Sequence, residues 1–187
     1  MNLIYLVFFL TGISGLIYET VWLRMLIRVF GCTVYATATV LSAFMAGLGI
    51  GSYVSGRYID RAKKPLLVYA LIEGAVGMAG LAVTAVFYVL PELYAVINVA
   101  AHPSLFVFVR TGLVFLALIT PAGLMGGTLP VLSKALIQVR ADLVNRLGFL
   151  YGINTLGAMV GVMACGFVLL GAVGERATIL IGVLLNL

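Results

Sequence analysis

Three ionisable side chains interrupt long apolar runs of this sequence and are the first candidates for chemistry: Glu19, Glu73 and Arg110. If those runs cross a membrane, a charged group near the bilayer centre costs about 2.5–3.5 kcal/mol on insertion scales, so it marks a functional site by default. A lone buried carboxylate can load and release protons near neutrality or recognise a cationic substrate. A structural ion pair that fixes helix register is the alternative, and it stays open.

The positions of these groups along their apolar runs predict which of them meet. Arg110 and Glu19 both fall toward the predicted outer half, so we expect them to pair. Glu73 lies nearer the inner half, where we expect it to stand alone or beside Lys134.

Three further side chains are candidates for a cavity wall or an anchor. Tyr18 and Asn154 are plausible cavity-lining groups, although an intramembrane Asn more often makes an interhelical hydrogen bond. Trp22 lies near the outer boundary, where aromatic residues commonly anchor a helix at the interface. We therefore predict that Trp22 is an interfacial anchor.

The elements that position these groups follow from composition. The chain has 187 residues, is 64% hydrophobic and 9% charged, and has a mean hydropathy of +1.23. Soluble domains are about 25% charged, so this composition excludes a soluble fold. Apolar runs of twenty or more residues favour helices over a β-barrel. With two cysteines and one histidine, the sequence indicates no disulfide scaffold, no metal site and no cofactor.

The apolar runs predict an all-α helix bundle with about six transmembrane helices. They begin near residues 3, 34, 65, 104, 147 and 175. The start of the chain lacks a basic region, so the first helix should be retained rather than cleaved as a signal. Pro121 and Pro130 predict a kink or break in the fourth helix. The last run, 175–187, is too short for a ~30 Å core, so we expect a truncated chain or further protein beyond it.

One polar stretch, 56–65, is predicted to be a tight cytoplasmic turn between the second and third helices. A gating and topology motif within it consists of Gly56, Asp60, Arg61, Lys63 and Lys64. Asp60 is expected to cap the third helix or to accept from a basic side chain of a neighbouring helix. The alternative is a plain topogenic loop that needs only positive charge.

Basic residues fall unevenly between the predicted loops, and this bias also accounts for the net charge of +5 without nucleic acid. Seven lie in the second-to-third and fourth-to-fifth loops: Arg57, Arg61, Lys63, Lys64, Lys134, Arg140 and Arg146. Three lie at the other side: Arg24, Arg28 and Arg176. The positive-inside rule therefore predicts a cytoplasmic N-terminus.

Glycine spacing predicts where helices approach closely. Gly47 and Gly51 form a small-xxx-small pair in the second helix. The fifth helix carries two such pairs: Gly148 with Gly152, and Gly157 with Gly161.

Two windows share a spacing of small and charged residues. Gly51, Gly56, Asp60, Arg61 and Ala62 are matched, 115 positions later, by Gly166, Gly171, Glu175, Arg176 and Ala177. The second window comes three helices later, so it faces the opposite side, as in an inverted 3+3 repeat. We therefore expect a single transmembrane domain with repeats at about 1–90 and 104–187. Chance similarity in a Gly-rich sequence is the alternative.

The stretch at 56–65 resembles the loop motif between helices 2 and 3 of the major facilitator superfamily, without its internal Gly and with the basic pair one position closer. A narrower resemblance covers nearly the whole chain. The runs 15–24, 125–130 and 152–158 look like the membrane region of bacterial fused facilitator/spermidine-synthase-like proteins. The resemblance implies half of a facilitator fold in the bacterial cytoplasmic membrane, and in that family a soluble aminopropyltransferase-like domain commonly follows.

These observations favour a transporter-like protein that moves a small polar solute by alternating access. Glu19 and Glu73 favour a cationic solute and allow proton coupling. A six-helix half does not enclose a cavity alone, so a homodimer or a second membrane half is expected. The alternative is a non-transporting anchor or assembly module for an enzyme domain or partner chain, and a third option is an accessory subunit of a membrane complex. The sequence itself predicts no enzyme.

Overall fold

The computed structural model describes residues 2–96, 103–136 and 143–187, and these residues are almost entirely helical. Six helices are seen: α1 (Asn2–Phe30), α2 (Thr33–Tyr58), α3 (Pro65–Val96), α4 (Pro103–Leu136), α5 (Leu143–Ala164) and α6 (Gly174–Asn186). A 3₁₀ turn, Ile59–Arg61, follows α2. The predicted all-α fold is confirmed.

The surface of the bundle is apolar, as a lipid-facing surface must be. Phe167 is 83% exposed and Phe108 is 76% exposed, and large aliphatic side chains are exposed on every helix. Five helices are long and apolar enough to cross a membrane: Leu3–Phe30, Thr33–Arg61, Pro65–Glu92, Val107–Leu136 and Leu147–Ala172. Because so much exposed hydrocarbon is unfavourable in water, the chain is a multi-pass membrane protein.

Helices α1 and α2 form an antiparallel hairpin. Gly31 ends α1 with a positive φ of 66°, a conformation that favours glycine, and its N–H donates to Ile27 O at 2.9 Å. Further down the hairpin the ring of Trp22 lies 6.0 Å from that of Phe44. The turn therefore brings the polar face of α1 into the middle of the bundle, against α2, α3, α5 and α6.

Glycines bring two helix pairs into backbone contact. A Cβ atom on Gly51 would collide with the backbone of Gly123, which packs α2 onto α4. A Cβ atom on Gly157 or Gly161 would collide with α1 at Phe9 or Ile13. The predicted pairs in α2 and α5 thus meet neighbouring helices, whereas Gly148 and Gly152 have no atom within 4 Å of a would-be Cβ.

Three helices contain a proline or an irregular stretch. Helix α3 continues past Pro91 to Val96. Helix α4 continues through Pro121 and Pro130, so the expected break is absent. A continuous helix keeps its backbone polar groups hydrogen-bonded where water is excluded. The expected kink stays a prediction. Helix α5 continues into a five-residue π-helical stretch, Cys165–Leu169, and one last α-turn, Leu170–Ala172.

Some predicted positions lie outside the described residues. Arg140 of the predicted fourth-to-fifth loop is one of them. The side chain of Arg146 is likewise outside the described part. The inverted repeat stays a prediction.

Candidate functional site

The Glu73 carboxylate on α3 is buried in the interior of the bundle and accepts hydrogen bonds from two other helices. The Glu73 residue is only 4% exposed. Thr11 on α1 donates from Oγ1 to Glu73 Oε1 at 2.9 Å, and Asn186 on α6 donates from Nδ2 to Oε2 at 2.5 Å. Each carboxylate oxygen therefore has its own neutral donor.

Two tyrosines extend this network outward. Tyr18 donates from its hydroxyl to Asn186 Oδ1 at 3.0 Å. The Tyr69 hydroxyl lies 2.7 Å from Thr11 Oγ1. When Thr11 gives its single hydroxyl proton to Glu73, Tyr69 must be the donor in that contact. The hydrogen bonds then run from both tyrosines toward one carboxylate, and we call these five residues the Glu73 network.

Helix periodicity explains how the sequence assembles the Glu73 network. Thr11 and Tyr18 are seven residues apart on one face of α1, and Tyr69 and Glu73 are four apart on one face of α3, so each pair points the same way. Helix α6 then supplies Asn186 from its last turn. Helices α1, α3 and α6, which are far apart in the sequence, thus meet at one polar point in an apolar interior.

A cavity of about 360 Å³ opens against this network. Its polar end consists of Glu73, Thr11, Tyr69 and Asn186. The rest of its wall is apolar or small, and comprises Val7, Leu10, Ala70, Gly74, Leu184, Leu185 and Leu187. Four of the lining residues, Leu184 to Leu187, are the last four of the sequence, so the cavity lies at the end of α6.

Two ion-pair clusters lie at opposite ends of the bundle. At one end Lys134 on α4 donates from Nζ to Asp60 Oδ1 at 3.0 Å and to Asp60 O at 3.2 Å. At the other end Glu175 on α6 accepts from Arg28 in a two-pronged pair, at 2.6 and 2.7 Å. Arg24 adds a third contact, from Nε to Glu175 Oε1 at 3.3 Å. Since α2 separates the clusters and is 26 residues long, they are roughly 39 Å apart.

The other members of the predicted 56–65 motif lie on the surface beside the Asp60 pair. Gly56, Lys63 and Lys64 are exposed. The Arg61 guanidinium lies 5.9 Å from the centre of the Tyr58 ring. Of the two roles expected for Asp60, the structure shows the contact with a basic side chain of a neighbouring helix.

The expected pairing of Arg110 with Glu19 is wrong. Arg110 donates to Val29 O at 3.2 Å and lies 4.3 Å from the centre of the Phe30 ring. Val29 is ten residues beyond Glu19, roughly 15 Å further along α1. Helix α4 therefore presents Arg110 to the end of α1, while Glu19 stays half-buried in its middle.

The prediction that Glu73 stands alone or beside Lys134 is also wrong. Lys134 is engaged with Asp60 at the end of the bundle, and Glu73 is held by neutral donors instead. The sequence could not reveal these donors because Thr11 and Asn186 lie on helices that are far from Glu73 in the chain.

Trp22 is not an interfacial anchor. It is fully buried, stacks on Tyr18 with ring centres 5.4 Å apart, and donates from Nε1 to Thr84 Oγ1 at 2.9 Å. Because α1 lies in the middle of the bundle, its whole polar face is enclosed by protein. Asn154 lies apart from the cavity, and its backbone packs against Gly12 of α1.

Sequence reasoning missed two members of the Glu73 network. Tyr69 is one helical turn before Glu73, a spacing that would have suggested a shared face. Asn186 is an amide in the final apolar run, and such an isolated polar residue is itself a signal. Thr11, seven residues before Tyr18 on α1, was not connected with Glu73 either.

Comparison with known proteins points to an enzyme class. The chain is 29% identical over 169 residues to polyamine aminopropyltransferases of Mycobacterium tuberculosis (strain H37Rv) and Mycobacterium bovis. The similar region covers 86% of this chain, and the chain spans 29% of the length of these curated relatives. No family model and no solved structure matches the chain.

This similarity corrects one prediction and supports another in part. The expectation that the protein is not an enzyme is wrong, because the curated proteins that it resembles are enzymes. The spermidine-synthase-like part of the recognised resemblance agrees with them. No family model supports the major facilitator part. The chain is thus a helical membrane segment that is similar to part of the polyamine aminopropyltransferases of mycobacteria.

Proposed function

We propose that this chain is the membrane-embedded region of an aminopropyltransferase-like enzyme. The observation that carries the proposal is the similarity to polyamine aminopropyltransferases over 86% of a chain whose helices have membrane-spanning length. In this role the bundle holds the enzyme at the bilayer. The predicted assembly module has this same role, whether the enzyme is a domain of the same protein or a partner chain.

The experiment is to express the full-length protein, separate membranes from the soluble fraction, and assay aminopropyl transfer to putrescine in both. We expect transfer activity in the membrane fraction and its retention after a carbonate wash that removes peripheral proteins. An inactive, well-folded membrane protein would overturn the proposal, and so would activity found only in the soluble fraction.

We propose a second role, transport of a small cationic solute, on a separate observation. The Glu73 network places an acidic group inside the bundle, where a purely mechanical anchor needs none. The contact between Glu73 and Asn186 also suits proton coupling. An Asn side chain can present either its NH₂ group or its carbonyl oxygen, so it can donate to an ionised carboxylate or accept from a protonated one.

The two ion-pair clusters support alternating access in this second role. Asp60 and Glu175 are the equivalent acids of the predicted repeats, 115 positions apart. Asp60 pairs with α4, the first helix of the second repeat, and Glu175 pairs with α1, the first helix of the first repeat. Asp60 and Glu175 thus each form an ion pair between the two predicted repeats, and the two pairs lie at opposite ends of the bundle. Opening one cluster while the other stays closed would rock the repeats about the cavity.

Uptake of labelled putrescine into proteoliposomes tests transport. We expect uptake by the unaltered protein and its loss in Glu73→Gln. Glu92→Gln is the matched control, because Glu92 is an exposed carboxylate on the same helix. No uptake above that of empty liposomes, or equal uptake by both variants, would overturn the transport role and leave the first proposal intact. A homodimer, the expected second half of the transporter, would be seen as a twofold mass in nanodiscs.

A further inference from the structure

We propose that a crevice beside the α2–α3 turn holds one anionic phospholipid, with part of an acyl chain in the crevice and the phosphate against Arg61 and Lys64. The crevice lies at the end of the bundle that carries the pair of Asp60 and Lys134. Such a site depends on neither proposed role, since it requires only that the chain lies in a membrane.

The crevice is a small apolar space between α2, α3 and α4, with a volume of about 210 Å³. Apart from Ser55, its wall consists of Val54, Tyr58, Ile59, Val68, Ile72 and Val131. Sites that enclose a whole small molecule usually measure about 300–1,000 Å³. The crevice therefore takes only part of a ligand, and because its wall is mostly hydrocarbon, that part is apolar.

Two walls of the crevice lead to a basic residue at the same end. On α2, Val54 and Tyr58 are four residues apart on one face, and the Arg61 guanidinium lies 5.9 Å from the centre of the Tyr58 ring. On α3, Lys64 is four residues before Val68, and the Val68 N–H donates to Lys64 O at 3.2 Å. Arg61 and Lys64 thus lie on either side of the end of the crevice.

These two basic residues are available to a ligand. The third wall also leads to a basic residue, Lys134, three positions after Val131 on α4, but its ammonium is paired with Asp60 at 3.0 Å. Among the described residues, no carboxylate lies within ion-pair distance of Arg61 or Lys64. Both side chains are exposed. A negatively charged group can therefore reach them without breaking an ion pair.

The net charge of this end of the bundle favours an anion. Its described side chains include five basic groups and one carboxylate, a net charge of +4: Arg57, Arg61, Lys63, Lys64, Lys134 and Asp60. Each basic group near a membrane surface strengthens the attraction to anionic lipid. A zwitterionic lipid would bring a cationic group of its own to this surface, so the charge selects a headgroup that is negative overall.

The surroundings of the crevice identify the anion as a lipid. Val54 is 45% exposed and Tyr58 is 57% exposed, so the crevice is open at the side of the bundle. Both residues belong to the membrane-spanning segment Thr33–Arg61, near its end. Tyrosine and basic side chains are typical of the headgroup level. A phospholipid there has its acyl chains at the depth of the crevice and its phosphate at the depth of Arg61.

The test is native mass spectrometry of the full-length protein in detergent, titrated with an equimolar mixture of phosphatidylglycerol and phosphatidylcholine. We expect one phosphatidylglycerol to bind at least about tenfold more tightly than phosphatidylcholine. Inorganic phosphate at the same concentration should not displace it, because phosphate alone leaves the crevice empty. Equal binding of the two lipids, or displacement by inorganic phosphate, would overturn the proposal.

A pair of charge variants locates the phosphate. Arg61→Gln combined with Lys64→Gln should weaken phosphatidylglycerol binding by at least about tenfold. Arg57→Gln combined with Lys63→Gln removes the same charge from residues that do not line the crevice, and should weaken binding by no more than about threefold because more distant charges are screened. Equal losses in the two double variants would indicate a diffuse positive surface and contradict the site.

A second pair of variants locates the acyl chain. Val54→Trp fills the mouth of the crevice without changing the charge, and a half-exposed position tolerates the larger side chain. We expect phosphatidylglycerol binding to fall by about tenfold, the effect of losing a few buried CH₂ groups. Leu41→Trp is the matched control, because Leu41 is 48% exposed on the same helix and away from the crevice. Unchanged binding in Val54→Trp, or an equal loss in Leu41→Trp, would contradict an acyl chain in the crevice.

Discussion

Asn186 and Glu73 are 113 positions apart in the chain, yet the Asn186 amide nitrogen lies 2.5 Å from the Glu73 carboxylate. This contact joins α6 to α3, and Tyr18 of α1 supports it through a hydrogen bond to the Asn186 carbonyl oxygen. The packing of three helices therefore depends on polar contacts at one point.

Tyr18→Phe removes only the outer hydrogen bond of this chain of contacts. We expect a loss of about 0.6 kcal/mol of folding free energy, and no more than ~1.7 kcal/mol, the range measured for interhelical hydrogen bonds in membranes. Thermal unfolding in nanodiscs measures it. Tyr151→Phe is the control, because Tyr151 is 61% exposed. Equal effects of the two substitutions would contradict a role for the Tyr18 hydroxyl.

Gly51→Ala tests the contact between α2 and α4. A methyl group there would collide with the Gly123 backbone, and overpacking of this kind costs about 1–3 kcal/mol. Gly49→Ala, two positions away on the exposed side of α2, should leave stability the same or slightly higher. The yield of monodisperse protein and its thermal midpoint compare the two variants. A harmless Gly51→Ala would show that the helices are further apart than described.

Thr84→Val leaves the Trp22 indole N–H without its partner in a fully buried position. An unsatisfied buried donor costs about 1–3 kcal/mol. Thr155→Val is the matched control, since Thr155 is exposed and its hydroxyl contacts only Tyr151 O. Trp22 is the single tryptophan, so its fluorescence should resist quenching by acrylamide and by brominated lipids. Strong quenching by brominated lipids would contradict the buried position of Trp22 and support the predicted interfacial one.

The two ion-pair clusters should contribute unequally to stability. Asp60 has a side chain 79% exposed, so Asp60→Asn should cost at most about 1 kcal/mol. The Glu175 side chain is 13% exposed and accepts from two arginines, so Glu175→Gln should cost about 1.5–3 kcal/mol. Thermal midpoints of the two variants at low and high salt measure the two losses of stability. A larger loss for Asp60→Asn than for Glu175→Gln would contradict this prediction.

The orientation in the membrane is testable with the native Cys32, which lies in the turn between α1 and α2 and is partly exposed. With a cytoplasmic N-terminus, an impermeant maleimide should label Cys32 on intact cells. A cysteine introduced by Lys64→Cys should be labelled only after the cells are permeabilised. The opposite pattern would place the N-terminus outside and reverse the positive-inside prediction.

The local features of the fold were predictable from sequence because they depend on neighbouring residues. Hydropathy places the helices to within a few residues, and the spacing of Gly47 and Gly51 identifies the face that meets α4. The unbroken path of α4 through Pro121 and Pro130 was not predictable, since it depends on the solvent around the helix rather than on the two prolines.

The candidate site was only half predictable for a related reason. An apolar run marks Glu73 as unusual, but the run does not say which helices surround it. Asn186 and Thr11 reach Glu73 only through the packing of α6 and α1. Trp22 was misplaced because its distance from the end of α1 says nothing about whether α1 is central or peripheral. Pairing between distant helices is tertiary information, which neither periodicity nor composition contains.

The long sequence separation within the Glu73 network has a consequence for biosynthesis. Thr11 and Tyr69 are made before or just before Glu73, whereas Asn186 follows it by 113 residues. At about 5–20 residues per second, a ribosome needs roughly 6 to 23 s to bridge that interval. The carboxylate must enter the membrane and wait through this time without its α6 donor. Arrival of α6 is thus the step at which the Glu73 carboxylate of the nascent chain gains its Asn186 donor.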